Sequence, residues 1–223
     1  YSYNSATGTV SQLTEWGRVT ADTDGTFSDV SGDKRVHTYA YAASAPYNVS
    51  ALPARETVKN ESNATTSEVR YYYDSQSLGS VTKGNLTKQE YWVATSSYID
   101  REWLYNGYGL VYQEKDPRDK TTTYVYETNN LYPATTTNPL SQSTRYTYDY
   151  SAGKPKTVID PNNLTQTFVY DGLDRITQEQ VPDSLTSAST TKTMYTYYDG
   201  SATSSVRTQR YRSNASSTDT YSY

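Results

Sequence analysis

The chain has 223 residues, a formal net charge of −4 and no cysteine. The missing cysteines exclude a disulfide framework and thiolate chemistry, and the mild acidity argues against nucleic acid as a partner. No apolar run approaches membrane-spanning length. The chain carries 26 tyrosines. A tyrosine ring can bury apolar area while its hydroxyl still reaches a polar partner.

An aromatic residue, one spacer residue and a tyrosine recur from one end of the chain to the other. The tyrosines that close this pattern, called anchor tyrosines below, are Tyr3, Tyr41, Tyr73, Tyr105, Tyr126, Tyr148, Tyr170, Tyr198 and Tyr223. The acids that directly follow an anchor include Asp149, Asp171 and Asp199, and at Tyr198 a threonine fills the aromatic slot. The anchors lie 32–38 residues apart up to Tyr105 and 21–28 apart beyond it. Such spacing is typical of a repeat architecture.

The spacing also predicts how the chain is organised. We expect one repeat array over residues 1–223, with longer, looser repeats in 1–104 and regular ones in 105–223. The early intervals exceed the later ones by about ten residues, which is the scale of an added loop or hairpin. The sequence does not begin with Met and ends on an anchor pair, so we expect a piece of a longer array.

Two features of the first half could suggest a metal or catalytic site. The stretch Asp22-Thr23-Asp24-Gly25 resembles a Ca²⁺ loop but lacks the terminal bidentate glutamate, so a turn is favoured. His37 is the only histidine and has no acid adjacent in the sequence. An ordinary histidine at a strand end is therefore favoured over a metal ligand or a catalytic triad. We predict no metal and no cofactor.

The second half alternates short strands with turns that begin with Asp or Asn. An Asx residue at the first turn position bonds its own backbone, and the proline that follows presets φ. In Leu164–Tyr170 the side chains alternate strictly between two faces, as in a strand. Asp119 and Asn163 occupy a turn position that favours a left-handed backbone, which Asp and Asn tolerate.

The predicted turns are Asp116–Asp119, Asn138–Ser141 and Asp160–Asn163, and the predicted strands are Lys120–Tyr126, Gln142–Tyr148, Lys156–Ile159 and Leu164–Tyr170. These elements predict an all-β fold of tandem β-hairpins, with the aromatics of successive repeats close together.

The arginines near the C-terminal end and the aromatic residues each allow a functional and a structural interpretation. Arg207, Arg210 and Arg212 form a small basic cluster on a predicted strand, where a solvated face is favoured over contact with an anionic cargo. Trp16, Trp92 and Trp103 could stack on sugars, so carbohydrate stays open as a partner. The regular recurrence of the anchor aromatics favours packing ladders between neighbouring strands.

The sequence Tyr170-Asp171-Gly172-Leu173-Asp174-Arg175-Ile176 resembles the YD-repeat motif of Rhs proteins, Tyr-Asp-x-x-Gly-Arg-hydrophobic. Tyr105–Val111 keeps the motif glycine at Gly109 but has Asn106 in place of the aspartate. Asp174 stands where the motif has glycine, and Asp119, Ser141 and Asn163 stand where the hairpin turn often has it. The resemblance to the Rhs/YD-repeat family, which includes polymorphic toxins, toxin-complex B and C components and teneurins, covers essentially the whole chain.

The resemblance implies hairpins joined side by side into a strip that spirals around a hollow interior, which in the bacterial members holds a C-terminal toxic or effector segment. The family's autoproteolytic Asp-Pro-x-Gly-Leu motif is absent, so cleavage is not carried over to the Asp-Pro turns. We therefore expect a non-catalytic segment of such a shell in a secreted or surface-exposed bacterial protein. Its expected partners are the flanking repeats and the enclosed effector of the same polypeptide. The alternatives are a cell-surface adhesion module that binds glycan or protein through exposed aromatics and, more weakly, an enzyme with an acid site at the Asp-Pro turns, Asp116-Pro117 and Asp160-Pro161.

Overall fold

A computed structural model of the protein describes residues 1–44, 49–182, 190–199, 205–212 and 218–222. These residues form nineteen strands and no helix, so the predicted all-β fold is confirmed. Within the same ranges, no helix capable of crossing a membrane is found. The chain divides into two compact units, Tyr1–Thr121 and Thr122–Tyr223.

The first unit is an antiparallel meander with one hairpin added to it. Its strands are β1 (Ser2–Tyr3), β2 (Val10–Glu15), β3 (Val19–Ala21), β4 (Phe27–Asp29), β5 (Arg35–Ser44), β6 (Val49–Asn60), β7 (Thr65–Tyr73), β8 (Leu86–Ala94), β9 (Ser97–Tyr105) and β10 (Val111–Lys115). Neighbours pair in the order β1-β2-β5-β6-β7-β8-β9-β10, and β3 and β4 pair only with each other. The β3–β4 hairpin accounts for the long interval between Tyr3 and Tyr41.

The second unit is a plain succession of hairpins. Its strands are β11 (Thr121–Tyr126), β12 (Pro133–Thr137), β13 (Ser143–Asp149), β14 (Lys154–Ile159), β15 (Thr165–Tyr170), β16 (Ile176–Pro182), β17 (Thr190–Tyr198), β18 (Ser205–Arg212) and β19 (Thr218–Ser222). Each strand pairs antiparallel with the next along the chain. The predicted strand bounds in this unit agree with the observed ones to within two residues.

Seven turns share one geometry, which explains the residues that depart from the family motif. In each turn the first residue is Asp or Asn. Its backbone N–H donates to the carbonyl of the fifth residue, and its own carbonyl accepts from the N–H of the fourth residue. The fourth residues have φ between 59° and 84° and are Gly25, Asn63, Gly109, Asp119, Ser141, Asn163 and Asp174. The four non-glycine departures therefore adopt the left-handed backbone that glycine would supply.

Side chains of the first turn residue reinforce this geometry. The Asp116 Oδ1 accepts from the N–H groups of Arg118 at 2.8 Å and Lys120 at 3.0 Å. The same third-and-fifth pattern occurs at Asn106, Asn138, Asp160 and Asp171. The side-chain oxygen of an Asp or Asn at the first turn position accepts from backbone N–H groups that find no carbonyl within a tight turn.

One long loop, Asp74–Asn85, replaces a short turn between β7 and β8. Among the described residues, the buried apolar side chains are only Ala42, Ala54, Tyr73 and Val81, and they lie together where this loop folds back. Asp74 organises the loop: its carboxylate accepts the backbone N–H groups of four residues, Thr82 to Asn85, at 2.7–3.0 Å. The loop is therefore held by one saturated carboxylate and a small apolar cluster.

Replacement of this carboxylate tests how the loop is held. Hydrogen bonds from the Gly84 and neighbouring backbone N–H groups outweigh desolvation and lower the pKa of Asp74 from 3.8 to about 2. Because the folded pKa is depressed, the stabilisation is present above pH ~4 and is lost as pH falls towards 2. Asp74→Asn should lower the free energy of unfolding by about 1–2 kcal/mol at pH 6, and the difference should shrink near pH 2.5. Urea unfolding followed by circular dichroism measures both values.

The matched control is Asp100→Asn on β9, where the aspartate caps no turn. An equal loss in both variants, or a loss at Asp74 that does not depend on pH, would contradict the assigned role of the carboxylate.

Candidate functional site

The anchor tyrosines share a position at β-bulges. Each of seven anchors pairs with one residue of the neighbouring strand. The residue that follows this partner in the sequence has no partner of its own in the ladder and is the extra residue of the bulge. The anchors Tyr3, Tyr41, Tyr73, Tyr105, Tyr126, Tyr148 and Tyr170 face, in that order, Val10, Pro53, Leu86, Val111, Pro133, Pro155 and Ile176.

The tyrosine of the following repeat bonds the carbonyl of this partner residue. Within the first unit, Tyr41 donates to Val10 O, Tyr73 to Pro53 O and Tyr105 to Leu86 O, each at 2.8 Å. Within the second unit, Tyr148 donates to Pro133 O at 2.8 Å, Tyr170 to Pro155 O at 2.7 Å and Tyr197 to Ile176 O at 2.9 Å. We call these six contacts the tyrosine–carbonyl bonds.

A bulge explains why this contact recurs. The extra residue interrupts the ladder, and a carbonyl beside it needs a donor that the neighbouring strand does not supply in register. The tyrosine hydroxyl supplies that donor only while it is protonated. Burial raises the pKa of five anchors, Tyr73, Tyr105, Tyr126, Tyr148 and Tyr170, which keeps these hydroxyls neutral at physiological pH.

The structure places two anchors differently from the rest. Tyr197, not Tyr198, makes the tyrosine–carbonyl bond; Tyr198 is 46% exposed and faces Ser205. Strand alternation puts Tyr195 and Tyr197 on one face and Tyr198 on the other, and Tyr195-Thr196-Tyr197 is itself an aromatic-x-Tyr pair. Tyr3 is exposed and stacks on Tyr1 at a centroid distance of 6.3 Å. Tyr223 lies outside the described residues.

Two of the acids that follow anchors, Asp149 and Asp171, hold turns. Asp171 accepts the backbone N–H groups of Leu173 and Arg175, and the Arg175 N–H is the largest cause of its lowered pKa. Asp149 accepts from the Ser151 hydroxyl and from the N–H of Ala152, which lower its pKa. The pKa of Asp199 is lowered by its hydrogen bond from Arg175.

Arg175 connects two consecutive repeats. Its guanidinium donates to the Asp171 carboxylate of its own turn at 2.8 Å and to Asp199 of the next repeat at 2.8 Å. The same group lies over the Tyr197 ring, 4.1 Å from the centroid. Both carboxylates raise the pKa of Arg175. The motif arginine therefore ties one turn to the tyrosine and the acid of the following repeat.

A second polar network crosses β7, β8 and β9 in the first unit. Arg70 donates to Glu68 at 2.7 Å and to the Tyr98 hydroxyl at 2.6 Å. Nearby, Glu90 accepts from Tyr72 and from Lys88, each at 2.7 Å. The charged and phenolic groups of this network are all paired with one another, which is the arrangement of a stabilising cross-strand network.

The Asp22–Gly25 and Asp116–Asp119 stretches form turns. Asp22 and Asp24 accept from the side chains of Ser28 and Thr26 across the β3–β4 turn, and the pKa of Asp24 is lowered by Thr26. Asp116 accepts the turn N–H groups, the Lys120 N–H being the largest cause of its lowered pKa. Within the described ranges, no group of three metal-ligating acids, histidines or cysteines is found.

His37 and the arginine cluster differ from the sequence-based expectation. His37 lies inside β5, and its ring nitrogens face Glu15 Oε2 and Glu56 Oε1, each at 3.3 Å. It is neither at a strand end nor remote from acids, because β2 and β6 flank β5 and bring distant glutamates beside it. Arg207 and Arg210 fall on opposite faces of β18 since strand side chains alternate. They do not form one cluster.

No family model matches the chain, and no curated protein matches it. Solved structures do. The crystal structure of TcdB2-TccC3-Cdc42 matches 97% of this chain with a TM-score of 0.60 and 15% identity. TcdB2-TccC3 without its hypervariable C-terminal region matches 94% with a TM-score of 0.58 and 16% identity, and TcdB2-TccC3 matches 79% with a TM-score of 0.55 and 9% identity. The chain spans 11–15% of the length of those chains. The predicted likeness to the toxin-complex Rhs/YD-repeat proteins is thus shown for the fold.

Removal of one hydroxyl tests the tyrosine–carbonyl bonds. Tyr148→Phe keeps the ring stacked on Tyr132, at a centroid distance of 4.5 Å, but leaves the Pro133 carbonyl without this donor. We expect the free energy of unfolding to fall by about 1–2 kcal/mol. The control is Tyr150→Phe, which removes an exposed hydroxyl bonded to Glu127 and should change stability by less than about 0.5 kcal/mol. Urea melts in which both variants match the parent protein would rule out the bond as a stabilising contact.

Proposed function

We propose that this chain is a structural, non-catalytic segment of an Rhs/YD-repeat shell. In this proposal the shell encloses or presents a toxin or effector part of the same large secreted bacterial protein. The fold shared with TcdB2-TccC3 structures supports this assignment, as does the small share of those chains that the segment spans.

The observation that carries the proposal is how the repeat uses its polar groups. The tyrosine hydroxyls bond bulge carbonyls of the preceding repeat, and the turn carboxylates bond the N–H groups of their own turns. A general acid or nucleophile must instead present a group to a substrate. Groups committed in this way maintain a wall of hairpins, which is the role a shell requires.

Polar saturation also suits a surface that faces a cargo. A sheet face lined by tyrosines and paired charges offers few unpaired hydrogen-bonding groups to which an unfolded chain could bind, and it presents little contiguous aliphatic surface. The exposed apolar side chains of the second unit include Val125, Leu140, Val169 and Leu173.

Limited proteolysis of the full-length protein tests the shell. The part enclosed by the repeats should resist protease in the parent protein and become digestible when Tyr148→Phe and Tyr170→Phe together weaken two adjacent repeats. The variants Asp116→Asn and Asp160→Asn, at the two Asp-Pro turns, should leave any processing pattern on a denaturing gel unchanged. Equal digestion in the parent and the double variant would overturn enclosure. Loss of a cleavage product in either aspartate variant would overturn the non-catalytic assignment.

A further inference from the structure

The first unit departs from its own repeat at one place. The described hairpin turns that share a common geometry have five residues, whereas β7 and β8 are joined by the loop from Asp74 to Asn85, whose ends are bonded to each other. The bulges described above have as their extra residues Ser11, Ala54, Thr87, Tyr112, Ala134, Lys156 and Thr177. Only Tyr112 of this set is aromatic. In repeat proteins, insertions that break the pattern often form the binding face.

The loop and the bulge meet at a cleft. A cleft of about 320 Å³ lies between the loop and the β9–β10 hairpin, and its lining includes Lys83, Asn85, Thr87, Trp103, Leu104 and Tyr112. A second cleft of about 370 Å³ adjoins it and shares Thr87, Trp103 and Leu104. Leu104 and Tyr112 are 41% and 40% exposed. Each volume is within the range of small-ligand sites, about 300–1,000 Å³.

The cleft has a rigid frame. Asp74 fixes the loop through four backbone N–H groups, and Tyr105 donates to Leu86 O at the base of β8. A bulge turns the side chain of its extra residue away from the regular alternation, which places Tyr112 beside Trp103. Preorganisation of this kind lowers the entropy lost when a ligand binds.

Some polar groups of the cleft have hydrogen-bond partners within the protein, and others have none. Thr87 is bonded to Tyr72 O and Ser75 N, and Asp74 is saturated. Within the described residues, the side chains of Lys83, Asn85 and Tyr112 have no hydrogen-bond or ionic partner. The groups without a partner are therefore a cation, an amide and a phenol, which line the cleft together with Trp103 and Leu104.

The charges favour an anionic ligand. Glu102 pairs with Lys115 at 3.4 Å, Lys88 with Glu90 at 2.7 Å, and Arg101 with Glu114 at 3.6 Å. These pairs neutralise the other charged side chains around the two clefts. In the lining itself the Asp74 carboxylate is held by four backbone N–H groups, and Lys83 is the cation without a side-chain partner.

We propose that this cleft binds a glycan that carries an acidic sugar. The Arg101 guanidinium lies over one face of the Trp103 indole, 6.0 Å from the centroid. One C–H face of a pyranose ring is apolar and suits the other, negative face of the indole. Asn85 and Tyr112 can each donate to and accept from sugar hydroxyls. Lys83 pairs with the sugar carboxylate. A phosphopeptide would use Lys83 but would leave the aromatic platform without its partner.

The test uses the full chain with two matched probes, sialyllactose and lactose, which share the neutral disaccharide. Calorimetric titration should show sialyllactose bound at least about tenfold more tightly than lactose. Lys83→Gln should remove that preference, because it removes the cation. Trp103→Ala should weaken both probes by about tenfold or more, whereas Trp92→Ala, which lies outside the cleft lining, should leave both affinities unchanged.

Lys83 is exposed, so Lys83→Gln keeps the proposal testable even if Trp103→Ala fails to fold. Absence of measurable binding to either probe by the parent protein would overturn the proposal. So would equal affinity for both probes, binding that neither variant changes, or binding of a phosphopeptide in place of both sugars. None of these outcomes bears on enclosure of a cargo, which the proteolysis experiment tests separately.

Discussion

The hydrogen bond from an anchor tyrosine to the carbonyl beside the preceding bulge is the constraint on which this structure depends. The described residues have a very small buried apolar core, so hydrophobic burial alone cannot fix the register of so many strands. A hydroxyl 2.7–2.9 Å from a defined carbonyl fixes both the position of the bulge and the spacing of the next hairpin. The ring of the same residue supplies much of the apolar area that the thin sheet can bury.

This constraint explains which parts of the structure could be predicted from the sequence. Strand alternation and Asx turns are local properties, so β15 and the left-handed Asp119 and Asn163 follow directly from residue types. The acid after Tyr198 favours that residue as the eighth anchor, whereas the structure uses Tyr197, which closes the aromatic-x-Tyr pair with Tyr195. The role of Arg175 between two repeats was also missed. The signal available for it was that Arg175 occupies the arginine position of the YD motif.

Features that depend on pairing between distant strands could not be derived in this way. His37 lies between Glu15 and Glu56 only because β2 and β6 flank β5. The cleft beside Trp103 requires a loop, a bulge and a hairpin from three segments, and no local pattern marks it. In both cases the informative quantity is register, which a single sequence specifies only weakly where both faces of a strand are polar. Regular repeats therefore account for the succession of hairpins, whereas the irregular loop at Asp74 is where we place a more specific function.

Spectrophotometric titration of tyrosine ionisation, with circular dichroism recorded on the same samples, tests the central claim most directly. Burial raises the pKa of five anchor tyrosines above the ordinary value of 10, namely Tyr73, Tyr105, Tyr126, Tyr148 and Tyr170. Their stabilisation is therefore complete below pH 10 and lost as pH rises through the folded pKa. We expect a group of tyrosines that ionises only above pH 10, together with the loss of the β-sheet signal. Ionisation of all tyrosines near pH 10 with the β-sheet signal unchanged would contradict the account, because phenolate oxygens cannot donate to the bulge carbonyls.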